Sequence, residues 1–307
     1  MPLALVGSSR CRRSHGRRGS SAYAKRVLAR VPASSANLGP GFDTLAVALS
    51  LHLEVELTLG GPLVVMTEGE GAGLFDDARH LGVRVAREVL GHEEFSLRVR
   101  SAIPLARGLG SSAALAVAAA AAAGAPDPLA VAARVDGHAE NAAASALGGL
   151  VVAGTLGGRV EARALTLDPA WRFVCVVPEA ELATADARRA LPTSVPFADA
   201  VFDLNALALL LAGLADHRRF VVGSMDDRLH QPYRAGLLPF AADLLALLRD
   251  AGAAGACWSG AGSTMLGLVT EATAPAVHDA ARDFLASRGL PGEVVLLEAD
   301  RRGLVVS

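Results

Sequence analysis

Pro104-Leu-Ala-Arg-Gly-Leu-Gly-Ser-Ser-Ala-Ala114 sits between an alternating segment, Phe95-Ser-Leu-Arg-Val-Arg100, and an alanine-rich run that reaches Ala123. Alternation at period two predicts a strand. The alanine run predicts a helix, with Gly124 as its C-cap and Pro126 forbidding continuation. The quoted stretch is therefore a strand–loop–helix connection. Gly108 and Gly110 let the backbone bend and come close to a ligand. Ser111 and Ser112 fall where the helix begins, and there unpaired N–H groups and the helix dipole attract an anion. Their hydroxyls can add a donor to a phosphate or an oxygen ligand to Mg²⁺. The same residues also suit an ordinary N-cap on a core helix. The loop is neither a G-K-[ST] phosphate loop nor a three-glycine dinucleotide fingerprint.

N-terminal to this connection, Arg26-Val-Leu-Ala-Arg-Val31 and Leu53-Glu-Val-Glu-Leu57 alternate and read as strands, with a turn-rich loop from Pro32 to Gly41 between them. Helices are predicted at 79–90, 128–136, 204–215, 237–251 and 275–288, and further strands at 149–153, 172–177, 256–258, 264–269 and 294–298. Strands and helices interleave without a regular βαβ period. The fold class is α+β, in two halves divided between residues 160 and 200.

The 307 residues are 52% hydrophobic and 20% charged, enough to build real cores and too few charges for a disordered chain. A net charge of −2 gives no electrostatic case for nucleic acid or a membrane surface. The longest charge-free apolar run, Ala113 to Pro126, falls short of the ~20 residues that span a bilayer. Cys11, Cys175 and Cys257 are odd in number and widely spaced, and read as reduced thiols in a cytoplasmic protein. Residues 1–25 contain five arginines and a lysine but no acid, and read as a basic extension outside the fold.

Pro104–Ala114 resembles the ATP loop of the GHMP kinases. Val31-Pro-Ala-Ser-Ser-Ala-Asn-Leu-Gly-Pro-Gly-Phe-Asp43 resembles the first motif of that superfamily in its homoserine kinase form. Ser259-Gly-Ala-Gly-Ser-Thr264 resembles the third, a glycine-rich loop near the nucleotide. The resemblance implies a two-domain GHMP kinase-like fold: an S5-like N-terminal α/β domain over residues 26–170 and a ferredoxin-like C-terminal domain over 171–307. It implies ATP held by Pro104, Leu105, Ala106, Arg107, Gly108, Leu109, Gly110, Ser111, Ser112, Ala113 and Ala114, with Gly260 and Gly262.

Four segments point the resemblance toward L-homoserine as acceptor. Asn37 and Asp43 flank a glycine-rich turn and can meet an amine or hydroxyl, although an Asx-turn would use them equally well. Gly137-His-Ala-Glu-Asn141 resembles G-H-P-D-N, which implies His138 and Asn141 in the substrate pocket. Ala139 and Glu140 depart from that pattern. Asp136 stands where the family places the Mg²⁺-binding glutamate, alongside Ser112. Thr184-Ala-Asp-Ala-Arg188 and Asp227-Arg-Leu-His-Gln-Pro-Tyr-Arg234 resemble segments whose arginines clamp the α-carboxylate. A planar guanidinium matches a carboxylate two-to-one, although solvated surface arginines are commoner.

By resemblance Thr184 joins the substrate site, while Asn141, Arg188 and Arg234 carry the catalytic roles. Asn141, an amide, orients the hydroxyl rather than accepting its proton. A homodimer is also implied by resemblance alone. A mevalonate- or shikimate-like acceptor, or a nucleotide-binding protein without turnover, remains open at this stage.

Overall fold

The computed structural model describes residues 25–307, so the basic extension, apart from Lys25, and Cys11 lie outside the described residues. The first half runs β1 (Arg26–Asn37), β2 (Gly41–Leu59), β3 (Val64–Gly69), α1 (Leu81–Leu90), β4 (Phe95–Ser101), α2 (Ser111–Ala122), α3 (Pro128–Asp136), α4 (Ala139–Leu147), β5 (Leu150–Leu156) and β6 (Arg159–Leu165). Its strands join one sheet in the order β1-β2-β4-β3, with β5 pairing the front of β2 and β6 pairing β5. All pairs are antiparallel except β3 with β4.

The loop expected from Pro32 to Gly41 is corrected: β1 continues through Asn37, and only Leu38-Gly39-Pro40 turns. Pro32 has no N–H to give the ladder. It sits at a register shift, and a second shift falls at Ala36/Asn37. The small residues Ala33, Ser34, Ser35 and Ala36 are all buried. They pair with Leu49, Ala48, Val47 and Ala46, so tertiary pairing overrides the local turn signals.

Helix α2 is apolar on every side because it is enclosed on every side. It packs on α1, α3, α4, β1 and β2, and its residues from Ala116 to Ala122 are buried. Alanine suits this place, since backbones can approach closely while helix propensity is kept. The helix ends in a Schellman turn: Gly124 N–H reaches Ala121 O (2.9 Å) and Ala125 N–H reaches Ala120 O (2.9 Å), with Gly124 at φ 85°. Helix α4, read from the sequence as a loop, follows directly on Gly137-His138.

The second half comprises β7 (Trp171–Pro178), α5 (Thr184–Arg189), α6 (Phe197–Ala215), α7 (Gln231–Arg234), α8 (Ala241–Asp250), β8 (Gly255–Trp258), β9 (Met265–Thr270), α9 (Ala274–Arg288) and β10 (Gly292–Leu297). The antiparallel sheet has the order β10-β7-β9-β8. With α8 after the first strand and α9 after the third, this is the ferredoxin-like β-α-β-β-α-β arrangement. Helices α5 to α7 are insertions between β7 and α8. Cys175 and Cys257 are buried in this sheet. Burial pushes the Cys175 thiol up to about 12 and raises Cys257 as well, so neither is a ready nucleophile.

The chain then returns to the first sheet. Leu49 bridges Ala299, and a short strand β11 (Val305–Val306) pairs with Ala29–Arg30 on the outer edge of β1. Helix α6 is, among the described residues, the one helix long and apolar enough to cross a membrane. It also carries the buried Asp203 and packs Leu210 and Leu214 into the larger core, which draws on both halves and includes Trp171 and Phe173.

Candidate active site

The two halves meet around a cavity of about 410 Å³. Its floor is the loop read first in the sequence. The N-cap of α2 is Gly110, at φ 70°, and no side chain caps the helix, so the backbone N–H groups of its first turn are left to the cavity. Gly110, Ser111, Ser112 and Ala113 all line it. This helix end carries the electrostatic preference for an anion that the macrodipole supplies.

The three glycine-rich segments are knit together here. Ser34 N–H donates to Leu109 O (3.1 Å), Gly260 N–H to Ala36 O (3.0 Å) and Thr264 N–H to Arg107 O (3.1 Å). Ser259 Oγ meets Gly108 O at 2.7 Å and Ser35 Oγ at 2.8 Å. Two glycines are required by contact. A Cβ on Gly108 would be driven into Ser259 O and the Gly262 backbone, and one on Gly110 into Ser34 Oγ. Asn37, Leu38, Asp43 and Ala106 hold positive φ (74°, 48°, 51°, 54°). Three of these four line the cavity, so sparsely populated backbone conformations concentrate where ligand is expected.

Of the residues singled out from the sequence, Asn37, Asp43, Pro104, Ala106 to Ala113, Asp136, His138, Asn141, Thr184, Arg188, Arg234 and Gly260 all face this one cavity. Leu105, Ala114 and Gly262 are not among its lining residues. Leu105 faces a second depression on the other side of the loop. Ala114 is buried, and Gly262 packs on the Trp258 ring. Arg107 lines the cavity, yet its guanidinium donates to Leu105 O (2.7 Å), Pro178 O (2.9 Å) and Glu179 O (2.6 Å). It fastens the loop to the end of β7 in this structure. Asn37 is likewise engaged: Nδ2 donates to Gly260 O (2.9 Å) and Oδ1 accepts from Asp43 N–H (3.1 Å).

Two guanidiniums also line the cavity. Arg188, on α5, forms a two-pronged pair with Asp43 (2.5 and 3.0 Å), and that hydrogen-bonded pair raises its pKa. Arg234, on α7, is 3% exposed. It donates to His230 Nδ1 (3.1 Å), Gly260 O (3.1 Å) and Ala187 O (3.3 Å). Burial, then the neighbouring Arg188, pull it down to about 10, so it remains a cation near neutral pH.

His230 is fully buried and held neutral, lowered to about 4 mainly by desolvation. Its partners assign the tautomer: Nε2–H donates to Gly39 O (2.9 Å) and Nδ1 accepts from Arg234. The Phe42 ring stacks on His230 (4.9 Å) and lies 5.2 Å from the Arg188 and 5.3 Å from the Arg234 guanidinium. Its π face thus supports two like charges at once.

Asn141 sits on α4, its Oδ1 accepting from Ser34 Oγ–H (2.8 Å) and its Nδ2 donating to Glu140 Oε1 (3.1 Å). Glu140 is 3% exposed, and desolvation raises its pKa. His138 Nδ1 lies 3.1 Å from Asp136 Oδ2, and that hydrogen bond raises the imidazole.

Comparison with known proteins places this geometry. The profile described as GHMP kinases N terminal domain matches residues 80–149, and that described as GHMP kinases C terminal matches 203–287. A homoserine kinase from Desulfitobacterium hafniense is 37% identical, covering 91% of this chain and 99% of its own. One from Corynebacterium aurimucosum is 43% identical, over 84% and 91%. The chain belongs to the homoserine kinase family. Among solved structures, a homoserine kinase from Cytophaga hutchinsonii superposes with a TM-score of 0.82 at 27% identity, covering 92% of this chain and 97% of that one. A mevalonate diphosphate decarboxylase from Staphylococcus aureus shares the fold at 16% identity and a TM-score of 0.68.

Within a homoserine kinase framework the residues that sequence reasoning gave no role are Ser34, Phe42 and His230, and Glu140 was named there only as a departure from the pattern. Each stands inside a motif already quoted. What was missing was the third dimension: that Phe42 underlies both arginines, or that Ser34 points at Asn141, follows from the approach of segments more than 100 residues apart.

Proposed function

We propose that this chain transfers the γ-phosphoryl group of ATP to the side-chain hydroxyl of L-homoserine, giving O-phospho-L-homoserine for threonine biosynthesis. The observation that carries the reading is that the uncapped start of α2 and the paired guanidiniums of Arg188 and Arg234 open into one cavity. The helix start suits a polyphosphate and the guanidiniums a carboxylate, and Asn141 lines the same cavity. We read 26–170 as the ATP-binding domain and 171–307 as its C-terminal partner, β11 crossing back to complete the first sheet. The nucleoside would extend toward the depression beyond the loop, where Leu74, Pro104 and Leu105 offer apolar surface.

In the reaction the hydroxyl oxygen forms a bond to the γ-phosphorus while the bond from that phosphorus to the ADP oxygen breaks. The transition state is loose, so positioning and charge stabilisation dominate. Backbone N–H groups at the start of α2 are fixed before reaction and meet the charge on the transferred group. Asn141 is locked by Ser34 and Glu140, and its amide orients the attacking oxygen. The proton leaves to phosphate or water. Asp43 takes the substrate ammonium, and Arg188 and Arg234 its carboxylate.

Ser112 and Asp136 offer a hydroxyl and a carboxylate at the phosphate end of the cavity, a hard-oxygen set that suits Mg²⁺. When bound, the ion would neutralise phosphate charge. We place the enzyme in the cytoplasm, and the homodimer that the family implies is measured by light scattering. The deciding experiment is a coupled ADP-release assay with homoserine, serine, mevalonate and shikimate side by side. ADP release with homoserine alone is expected, and release only with another acceptor would refute the assignment.

A further inference from the structure

We infer that the Asp43–Arg188 ion pair is a charge filter, which a substrate opens without loss only if it carries both an ammonium and a carboxylate. This rests on the reading of the cavity as a homoserine site. In the structure the two side chains that would receive opposite ends of the amino acid are bonded to each other, at 2.5 and 3.0 Å. The pair is two-pronged, Nη1 meeting Oδ2 and Nη2 meeting Oδ1, the arrangement in which a guanidinium and a carboxylate satisfy each other best. The cavity therefore contains an internal copy of the charges it is built to bind.

The surroundings make separation of this pair costly unless both halves find new partners. Arg188 shares the Phe42 ring with Arg234, so an Arg188 deprived of its carboxylate is a second cation beside the first. Asp43 shares the cavity with Glu140, which is buried and acidic. An Asp43 deprived of its guanidinium is a second anion beside that one. A zwitterion supplies a carboxylate to Arg188 and an ammonium to Asp43, so every charge remains paired. A singly charged alcohol satisfies one partner and strands the other. The filter thus discriminates by the penalty on a broken pair rather than by any added attraction, and it acts against abundant hydroxy acids and amino alcohols.

The test uses three homoserine analogues: 4-hydroxybutyrate (carboxylate only), 3-aminopropan-1-ol (ammonium only) and propan-1-ol (neither). On the parent enzyme each is measured as a competitor of homoserine. The filter predicts that the singly charged analogues bind no better than the neutral one. If each charge added affinity on its own, the filter is overturned. Asp43→Asn then releases Arg188. It is expected to weaken homoserine and to improve kcat/KM or Ki for 4-hydroxybutyrate roughly fivefold, the factor set by a half-exposed ion pair. Unchanged or weaker 4-hydroxybutyrate binding, in a variant with parental melting temperature and ATP binding, overturns the filter while leaving the homoserine assignment intact. Failure of the parent enzyme to release ADP with homoserine overturns both.

Discussion

Asp203→Asn is expected to make this protein more stable at pH 8 and to flatten its pH–stability profile. Asp203 lies on α6, is 2% exposed, and faces a second buried acid, Asp227. Asp227 is committed as an acceptor: it takes the N–H groups of Leu229 (2.7 Å), His230 (3.0 Å) and Gln231 (2.6 Å), which order the turn leading to Arg234. Asp203 Oδ1 accepts from Arg228 N–H (2.9 Å), while Oδ2 has no partner. A proton on Oδ2 turns it into a donor beside the Asp227 carboxylate. Burial and the Asp227 charge accordingly push Asp203 up to about 7.

The sign follows from linkage. Between the unfolded value of 3.8 and about 7, the folded protein keeps a proton that the unfolded chain has released. Stability from this group is therefore complete at acid pH and is lost as pH rises toward 7, at up to ~1.4 kcal/mol per pH unit. Asparagine keeps the Oδ1 acceptor, offers Asp227 a permanent N–H and does not titrate. At pH 8 the variant should gain ~1–4 kcal/mol, which is roughly 2–4 °C of melting temperature per kcal/mol for a chain of this size class. At pH 5 the variant's advantage should be smaller by ~2–3 kcal/mol, because the parent's stability rises by up to ~1.4 kcal/mol for each pH unit below about 7. Calorimetry or urea titration from pH 5 to 8, read as the difference between the two proteins, measures this. A variant less stable at pH 8, or a difference that does not change with pH, refutes the shared proton.

Three further outcomes test the site. Gly110→Ala places a methyl against Ser34 Oγ at φ 70°, and should lower kcat/KM at least ~100-fold with weakened ATP binding by calorimetry, because the helix start must move. Arg234→Lys cannot reproduce donation to His230, Gly260 and Ala187, and should raise KM for homoserine by ~10–100-fold while KM for ATP stays within about twofold. Phe42→Leu removes the ring beneath both guanidiniums. It should raise KM for homoserine roughly 3–10-fold with kcat nearly unchanged, since the ring contributes to binding and not to the reacting atoms.

The architecture was legible where one signal ran unopposed. The alanine run could be little but a buried helix, and Phe95–Arg100 alternates without interruption. It was illegible where local chemistry and tertiary pairing disagree. Pro32–Asn37 carries turn formers, yet it lies in the deepest part of the first sheet because only small side chains fit beneath α2 and α4. Helix α4 was hidden by Gly137 and the Gly148–Gly149 pair, whose punctuation suggested a loop although the residues between are mostly alanine.

At the site, the polar residues announced themselves through motif spacing. Their neighbours did not, because a phenylalanine beneath two arginines looks in one dimension like any other apolar residue. The mutual pairing of Asp43 and Arg188, 145 positions apart, has no trace in the sequence either.

Strand β11 guards an edge. Leu28 and Ser307 exchange both backbone hydrogen bonds at 2.9 Å, and Asp300 meets His52 at 2.7 Å, so the outer margin of β1 is closed by residues more than 270 positions further along the chain. With those residues undocked, β1 shows an unpaired ladder to every other chain in the vicinity, the state in which sheets recruit one another. The first sheet is thus sealed by residues 305–307 and not by anything within its own half. A tag or truncation at residues 305–307 would be felt first as aggregation during expression and only afterwards as lost turnover.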